Sequence, residues 1–215
     1  YPLSQHIGAP AVPIVKKGDR VLAGQKIAEA AGFVSANIHA SISGTVKVIE
    51  PRMTSSGSKV NSIVIENDGM FESVDYSQNK MDLETLYRDD VRNIIKEAGI
   101  VGMGGAGFPA NVKLTPKNED EIDYIIVNGA ECEPYLTSDY RRMIEEPEKL
   151  IHGLEICINL FDNAKGIIAI EDNKPEAIKL LRELTKDNDK ITINELKTKY
   201  PQGAERQLIY ANTGR

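Results

Sequence analysis

Cysteine is scarce in this chain of 215 residues: Cys132 and Cys157 are the only two. That excludes a disulfide framework and any iron–sulfur centre ligated by four cysteines of this chain. Long apolar stretches are missing too. No run of about 18 apolar residues occurs, so no transmembrane helix is expected. Basic charge is short: 26 Lys and Arg stand against 32 Asp and Glu, a net charge of -6. A nucleic-acid binder would want a basic stripe, so none is expected as partner. The opening "YPLSQHIGAP" has neither the basic n-region nor the apolar core of a signal peptide, and a cytosolic setting is the default expectation. What is present is an ordinary globular composition, 41% hydrophobic and 27% charged, long enough for two modest domains or one large one.

The patterning changes along the chain. Up to about residue 68 it reads as all-β. Turns at Lys-Gly-Asp and Ala-Gly-Gln punctuate "VPIVKKGDRVLAGQKIAEA", and "TSSGS" separates the runs "ISGTVKVIE" and "VNSIVIEND". From about residue 80 the pattern is α/β. "DDVRNIIKEAG" reads as a helix stopped by Gly99, and "PEKLIHGLEICINLF" as a helix with Pro147 in its first turn. "PEAIKLLRELTKDN" and "GAERQLIYANTG" complete the helices. "IDYIIVNGA", "KGIIAIED" and "KITINEL" are apolar strands between them, which implies a largely parallel sheet. The ending "QLIYANTGR", a helix halting at its cap glycine Gly214, makes a fragment of a longer protein the expectation.

The N-terminal pattern resembles the barrel-sandwich hybrid of lipoyl and biotinyl carrier domains. Those domains carry a modified lysine at an exposed turn. The matching stretch, "AAGFVSANIHAS", contains no lysine, so a docking or packing module is expected rather than a swinging arm. A lone histidine there, His39, is given no role.

Three clusters carry chemistry. Five glycines fall between Gly99 and Gly107 in "GIVGMGGAGFPANVKL". Glycine costs conformational entropy, and its use is to let backbone N–H groups approach a flat ring or a phosphate. Phe108 adds an aromatic face and Lys113 a cation. The loop follows a helix, unlike the usual dinucleotide fingerprint at a strand-to-helix turn. A bland hinge would favour serine and polar residues. The second cluster, "VNGAECEP", closes an apolar strand, where open α/β sheets place ligands. Asn128 can donate and accept toward a ring edge. Glu131 and Glu133 flank Cys132, and such a pair costs stability without partners. Cys132 reads as a small packing residue, Cys157 as core. The third cluster is "YPQGAERQLIYANTGR". Gly203 and Ala204 open a helix whose N-terminus suits an anion, with Glu205 in its first turn.

"LSQHIGAPA", "GMGGAGFPANVKL", "NGAECEPYLTSD" and "YPQGAERQLIYANTGR", in this order, resemble the RnfC family, one of the subunits of the Rnf electron-transport complex. That family is itself similar to the NADH-binding flavoprotein subunit of respiratory complex I. The resemblance implies a barrel-sandwich hybrid over residues 1–75 and a Rossmann-like FMN- and NADH-binding α/β domain over residues 76–215. It implies flavin contacts at Gly102, Gly104, Lys113, Asn128 and Glu131. NADH contacts are implied at Phe108, stacking on the adenine, and at Glu133 and Glu205, with Gly105, Gly107 and Gly203 completing the cofactor-binding set. The implied activity is electron transfer between NAD(H) and ferredoxin through flavin and iron–sulfur clusters. Two [4Fe–4S] clusters are expected only in a C-terminal part absent from this sequence. The implied partners are other Rnf subunits, and indirectly ferredoxin, at the cytoplasmic face of the bacterial membrane. Ala130 and Ala204 depart from the complex I pattern, each standing where it has a carboxylate. Two alternatives share the same modules: a cobalamin reductase of bacterial microcompartments, and a non-catalytic docking module that has lost its flavin.

Overall fold

The computed structural model describes residues 1–76 and 86–215. The expected onset of the α/β pattern, near residue 80, lies outside them. The chain packs as two compact units, Tyr1–Pro116 and Lys117–Arg215.

The first unit contains two three-stranded antiparallel sheets. One runs β1 (Val12–Pro13), β3 (Lys26–Glu29), β4 (Ile38–His39); the other runs β2 (Arg20–Val21), β5 (Gly44–Met53), β6 (Lys59–Asn67). Period-2 burial along β5 turns Val46 inward, to pack with Val21, Ile27, Ile38 and Ile63. The sheets are separate ladders and do not close on one another as one hydrogen-bonded barrel among the described residues. The unit is also not all-β. It includes α1 (Arg88–Glu97) and α2 (Ala110–Lys113), so the packing boundary falls at residue 116 and not near 75.

The lysine-free stretch explains part of that boundary. Asn37, buried at its end, donates from Nδ2 to the carbonyls of Lys96 and Glu97 (3.3 and 3.4 Å), which satisfies the C-terminus of α1. Lys26 Nζ donates to Glu97 Oε2 at 2.8 Å. Gly99 then stops the helix at φ +66°, as its sequence pattern foretold.

The second unit is a parallel sheet in the order β7 (Tyr124–Gly129), β8 (Lys165–Glu171), β9 (Ile191–Leu196). Alternation along β8 divides the core. Ile168 and Ile170 face a cluster with α3 (Ser138–Glu145), α4 (Pro147–Ile158) and α5 (Pro175–Leu184). Ile167 and Ala169 face the other way, with Leu208 of α6 (Glu205–Thr213). β8 is therefore covered on both faces, which accounts for its unbroken apolar run. At Gly166 a Cβ would meet Ile158 Cδ1 at 2.7 Å, so glycine there lets α4 lie close to the strand. The carboxyl ends of the three strands release the segments 130–137, 172–174 and 197–204 at one edge of this sheet.

Candidate functional site

The sequence-derived residues divide between the units, and each group is described in its own.

In the first unit, the glycine loop is a closed hairpin-like excursion. Gly102 N donates to Phe108 O (2.8 Å), Ala110 N donates to Ile100 O (2.9 Å), and Val101 bridges Pro109 antiparallel to it. This pinned neck does not behave as a hinge. The tip, residues 102–106, is exposed, with Met103 at 95%. Support comes from the segment around His6. Ile7 N donates to Ala106 O at 3.0 Å. His6 is buried, its Nε2 accepting from Ala36 N (3.2 Å) while Nδ1 meets Ile7 O (3.1 Å). The motif "LSQHIGAPA" is thus the loop's scaffold, a role its pattern alone did not disclose.

The four glycines of the loop have different causes. Gly107 sits at φ +58°, and a Cβ would lie 2.8 Å from Gln5 O. Gly105 sits at φ +95° with open space before it. Both are required by the protein itself. Gly104 is different: its φ is outside the left-handed region and a Cβ would meet nothing within 4 Å. At Gly102 a Cβ would make only ordinary contact, 3.6 Å from Phe108 O. Phe108 is partly exposed and Lys113, at the end of α2, is exposed.

In the second unit, Asn128, Glu131, Cys132 and Gly203 come together at the carboxyl edge of the sheet. Asn128 Nδ2 donates to Gly203 O (2.8 Å) and its Oδ1 accepts from Ala130 N (3.3 Å). Gly203 N donates to Cys132 Sγ at 3.3 Å. Cys132 is a packing and hydrogen-bonding residue of the turn. A Cβ on Gly203 would lie 3.3 Å from Cys132 Sγ and 3.4 Å from Asn128 Oδ1, so glycine lets the two segments touch.

Glu131, at φ +50°, has the partners its sequence context did not show. Oε1 accepts from Asp139 N (2.8 Å) and Oε2 from Tyr140 N (3.2 Å). These are the second and third residues of α3, whose own N-cap, Thr137, makes no side-chain bond. A distant carboxylate therefore caps the helix and meets its positive end. The expected repulsion between Glu131 and Glu133 is avoided: Glu131 points to the helix and Glu133 is exposed. Tyr140 in turn donates its phenol to Glu176 Oε2 (2.9 Å), a bond that raises its pKa above the ordinary 10.0.

Ala130 is fully buried in the apolar cluster with Leu196 and Leu208, so a carboxylate would be desolvated there. Its replacement of the complex I aspartate is a packing choice in this chain. Glu205 begins α6 and is exposed, with Ala204 as the extended N-cap. Gln202 is buried; its Nε2 donates to Lys197 O (2.9 Å), and its Oε1 has no partner among the described residues. Cys157 lies in α4, half-buried, and desolvation pushes its thiol pKa up. No group of three or more potential metal ligands occurs among the described residues. No helix among them is long and apolar enough to cross a membrane.

Comparison with known families agrees with this geometry. A model of the Nuo51 FMN-binding domain matches residues 95–215, and one of the RnfC barrel sandwich hybrid domain matches residues 1–70. The RnfC-type subunit of the Na(+)-translocating ferredoxin:NAD(+) oxidoreductase complex of Acetobacterium woodii is 46% identical over 215 residues, covering 100% of this chain and 48% of the relative. The proton-translocating counterpart of Clostridium ljungdahlii is 47% identical over 214 residues, covering 100% and 47%. The corresponding subunit of the ion-translocating oxidoreductase complex of Haemophilus influenzae is 39% identical over 216 residues, covering 99% and 33%. The chain spans about half the length, or less, of these curated relatives. With both family models matching in order and relatives aligned along its whole length, the chain belongs to the RnfC family and carries that family's Nuo51-type FMN-binding domain.

Proposed function

We propose that this chain binds FMN and NAD(H) within a membrane-associated complex that moves electrons between NAD(H) and ferredoxin. The observation that carries the reading is the bare backbone at Gly102 and Gly104. Neither glycine is demanded by φ, and neither is crowded by a neighbour. The loop therefore bears an entropic cost for which its own packing gives no cause, and close approach to a flat ring or a phosphate supplies one. The residues present fit such a group: open backbone at the tip, a partly exposed Phe108 face and the Lys113 cation.

FMN, when bound, supplies the exchange between two-electron and one-electron carriers. The chain's residues bind and orient. Gly102, Gly104, Gly105 and Gly107 shape the loop, Phe108 stacks on the adenine, and Lys113 neutralises phosphate. Asn128 keeps one N–H and one lone pair beyond its bonds to Gly203 and Ala130, enough to pair with a ring edge. Glu131 keeps its turn rigid, while Glu133 and Glu205 accept hydrogen bonds from nucleotide hydroxyls beside Gly203. The strands and helices of Lys117–Arg215 act as a Rossmann-like support, and the N-terminal sheets as a barrel-sandwich docking module. Two cysteines cannot hold a four-thiolate cluster, so the iron–sulfur carriers lie outside these 215 residues. The chain sits peripherally at the cytoplasmic face of the bacterial membrane beside other complex subunits. The names of the relatives favour this reading over a cobalamin reductase.

The test is a pair of titrations, FMN by flavin fluorescence and NADH by calorimetry, on the wild-type chain and on Gly104→Val. The variant is expected to lose at least tenfold in FMN affinity at an unchanged melting temperature, since its side chain enters open space. Equal affinity in the two chains, or no FMN uptake by either, overturns the reading.

A further inference from the structure

Residues 171–174, Glu-Asp-Asn-Lys, lead from β8 into α5, and the proposed cofactor contacts make no use of them. Two of the four are buried charges, Glu171 at 1% and Lys174 at 7% exposure. Burying ions is unfavourable unless each finds partners. Lys174 is also locally misplaced. It occupies the N-cap of the ten-residue α5, where a lysine side chain cannot accept the free N–H groups and its charge opposes the helix's positive end. A residue that breaks two local rules is explained by what its side chain reaches.

Lys174 Nζ donates to the backbone oxygen of Ala130 (2.6 Å) and to Asn173 Oδ1 (3.0 Å), and lies 3.7 Å from Glu171 Oε2. An ammonium has three N–H groups, and three oxygens surround this one, so it is not a phosphate ligand in waiting. Glu171 Oε1 accepts from Lys199 N (3.1 Å). The buried pair therefore joins the turn that bears Asn128 and Glu131 to the segment that leads to Gly203.

We propose that Lys174 is a positioning residue for the cofactor: through the Ala130 carbonyl it holds the 128–133 turn in its binding geometry, and through Glu171 it couples that turn to residues 197–203. The proposal rests on the reading that this turn binds FMN. Lys174→Met alone would leave the Glu171 charge buried and unpaired, which endangers the fold. The paired variant Glu171→Gln/Lys174→Met removes both charges and keeps an acceptor for Lys199 N. Two readouts apply. Without ligand, hydrogen–deuterium exchange at Ala130, Asp139, Tyr140 and Gly203 should quicken tenfold or more, while the amides of Ile167–Ile170 stay protected. With FMN, affinity should fall tenfold or more while thermal unfolding stays cooperative. Unchanged exchange at those four amides overturns the proposal. So does faster exchange with unchanged FMN affinity, because the ligand then ignores the geometry of the turn. If the wild-type chain takes up no FMN, the functional reading has failed, and the ligand-free exchange alone decides the positioning.

Discussion

At the scale of single residues, the glycine loop shows how identical side chains answer to different causes. Gly107→Ala places a Cβ 2.8 Å from Gln5 O at φ +58°, and should cost about 1–3 kcal/mol of stability. Gly104→Ala should stay within about 0.5 kcal/mol of wild type. Urea midpoints of the two variants check this, and equal losses would refute the division. The sequence displayed the glycines but could not separate those serving the backbone from those facing outward, because φ and the position of Gln5 depend on the folded chain. Asp172 gives a pH prediction. Hydrogen bonds from the Thr198 hydroxyl, the Lys197 ammonium and the Thr198 amide lower its pKa from 3.8 to about 2. A carboxylate whose pKa is depressed in the folded state stabilises it above its unfolded pKa, and that contribution fades as pH falls through the folded value. Stability should therefore decline between about pH 4 and pH 2 as the tie to residues 197–198 is lost. Asp172→Asn should be less stable than wild type at pH 6 and flatter across the acid range. Parallel urea titrations from pH 6 to pH 2 decide it; curves of the same slope would remove Asp172 as the cause.

Among the elements, α3 depends on a residue outside itself. Glu131 accepts from Asp139 N and Tyr140 N, the groups an N-cap side chain ordinarily takes. Glu131→Ala should cost about 0.5–2 kcal/mol, the usual value of a cap. The loss should appear as faster exchange at Asp139 and Tyr140, with α5 unaffected. Equal exchange in variant and wild type would mean that solvent serves those amides as well as Glu131 does. The same dependence explains why α3 escaped the sequence. "SDYRRMIE" buries only Met143, so its apolar period is faint, and its capping acceptor lies far upstream instead of in a local box. The other helices of the second unit were legible because their signals are local: Pro147 and Pro175 open α4 and α5, and Gly214 at φ +73° closes α6. The three parallel strands were legible from their apolar runs, and the clusters at their carboxyl ends followed from that topology.

For the whole molecule, the sequence showed two kinds of pattern and placed the change near residue 75, where strands give way to helices. Packing divides the chain elsewhere, at 116/117, because pattern reports local periodicity while packing reports side chains that meet across distance. Asn37 satisfies the C-terminus of α1, Lys26 pairs with Glu97, and Ile7 holds Ala106; none of these has a local signature. Each unit has cores of its own, with Leu3, Val21, Ile27 and Ile63 in the first, and Leu154, Ile168, Ile170 and Leu181 in the second. Where the chain is cut should therefore matter in a specific way. A chain of residues 117–215 should melt cooperatively and resist trypsin, because its sheet and both covering layers are complete. A chain of residues 76–215 carries α1 and the glycine loop without Asn37, Lys26 and Ile7. Trypsin should remove residues up to about 116 from it quickly, at Arg88, Arg92, Lys96 and Lys113, and leave the same protected core. Mass spectrometry of the digests reads the outcome directly. Equal protection of residues 86–116 in the 76–215 chain and in the full chain would show that the loop needs no support from the N-terminal sheets, and would return the boundary to the place where the sequence pattern changes.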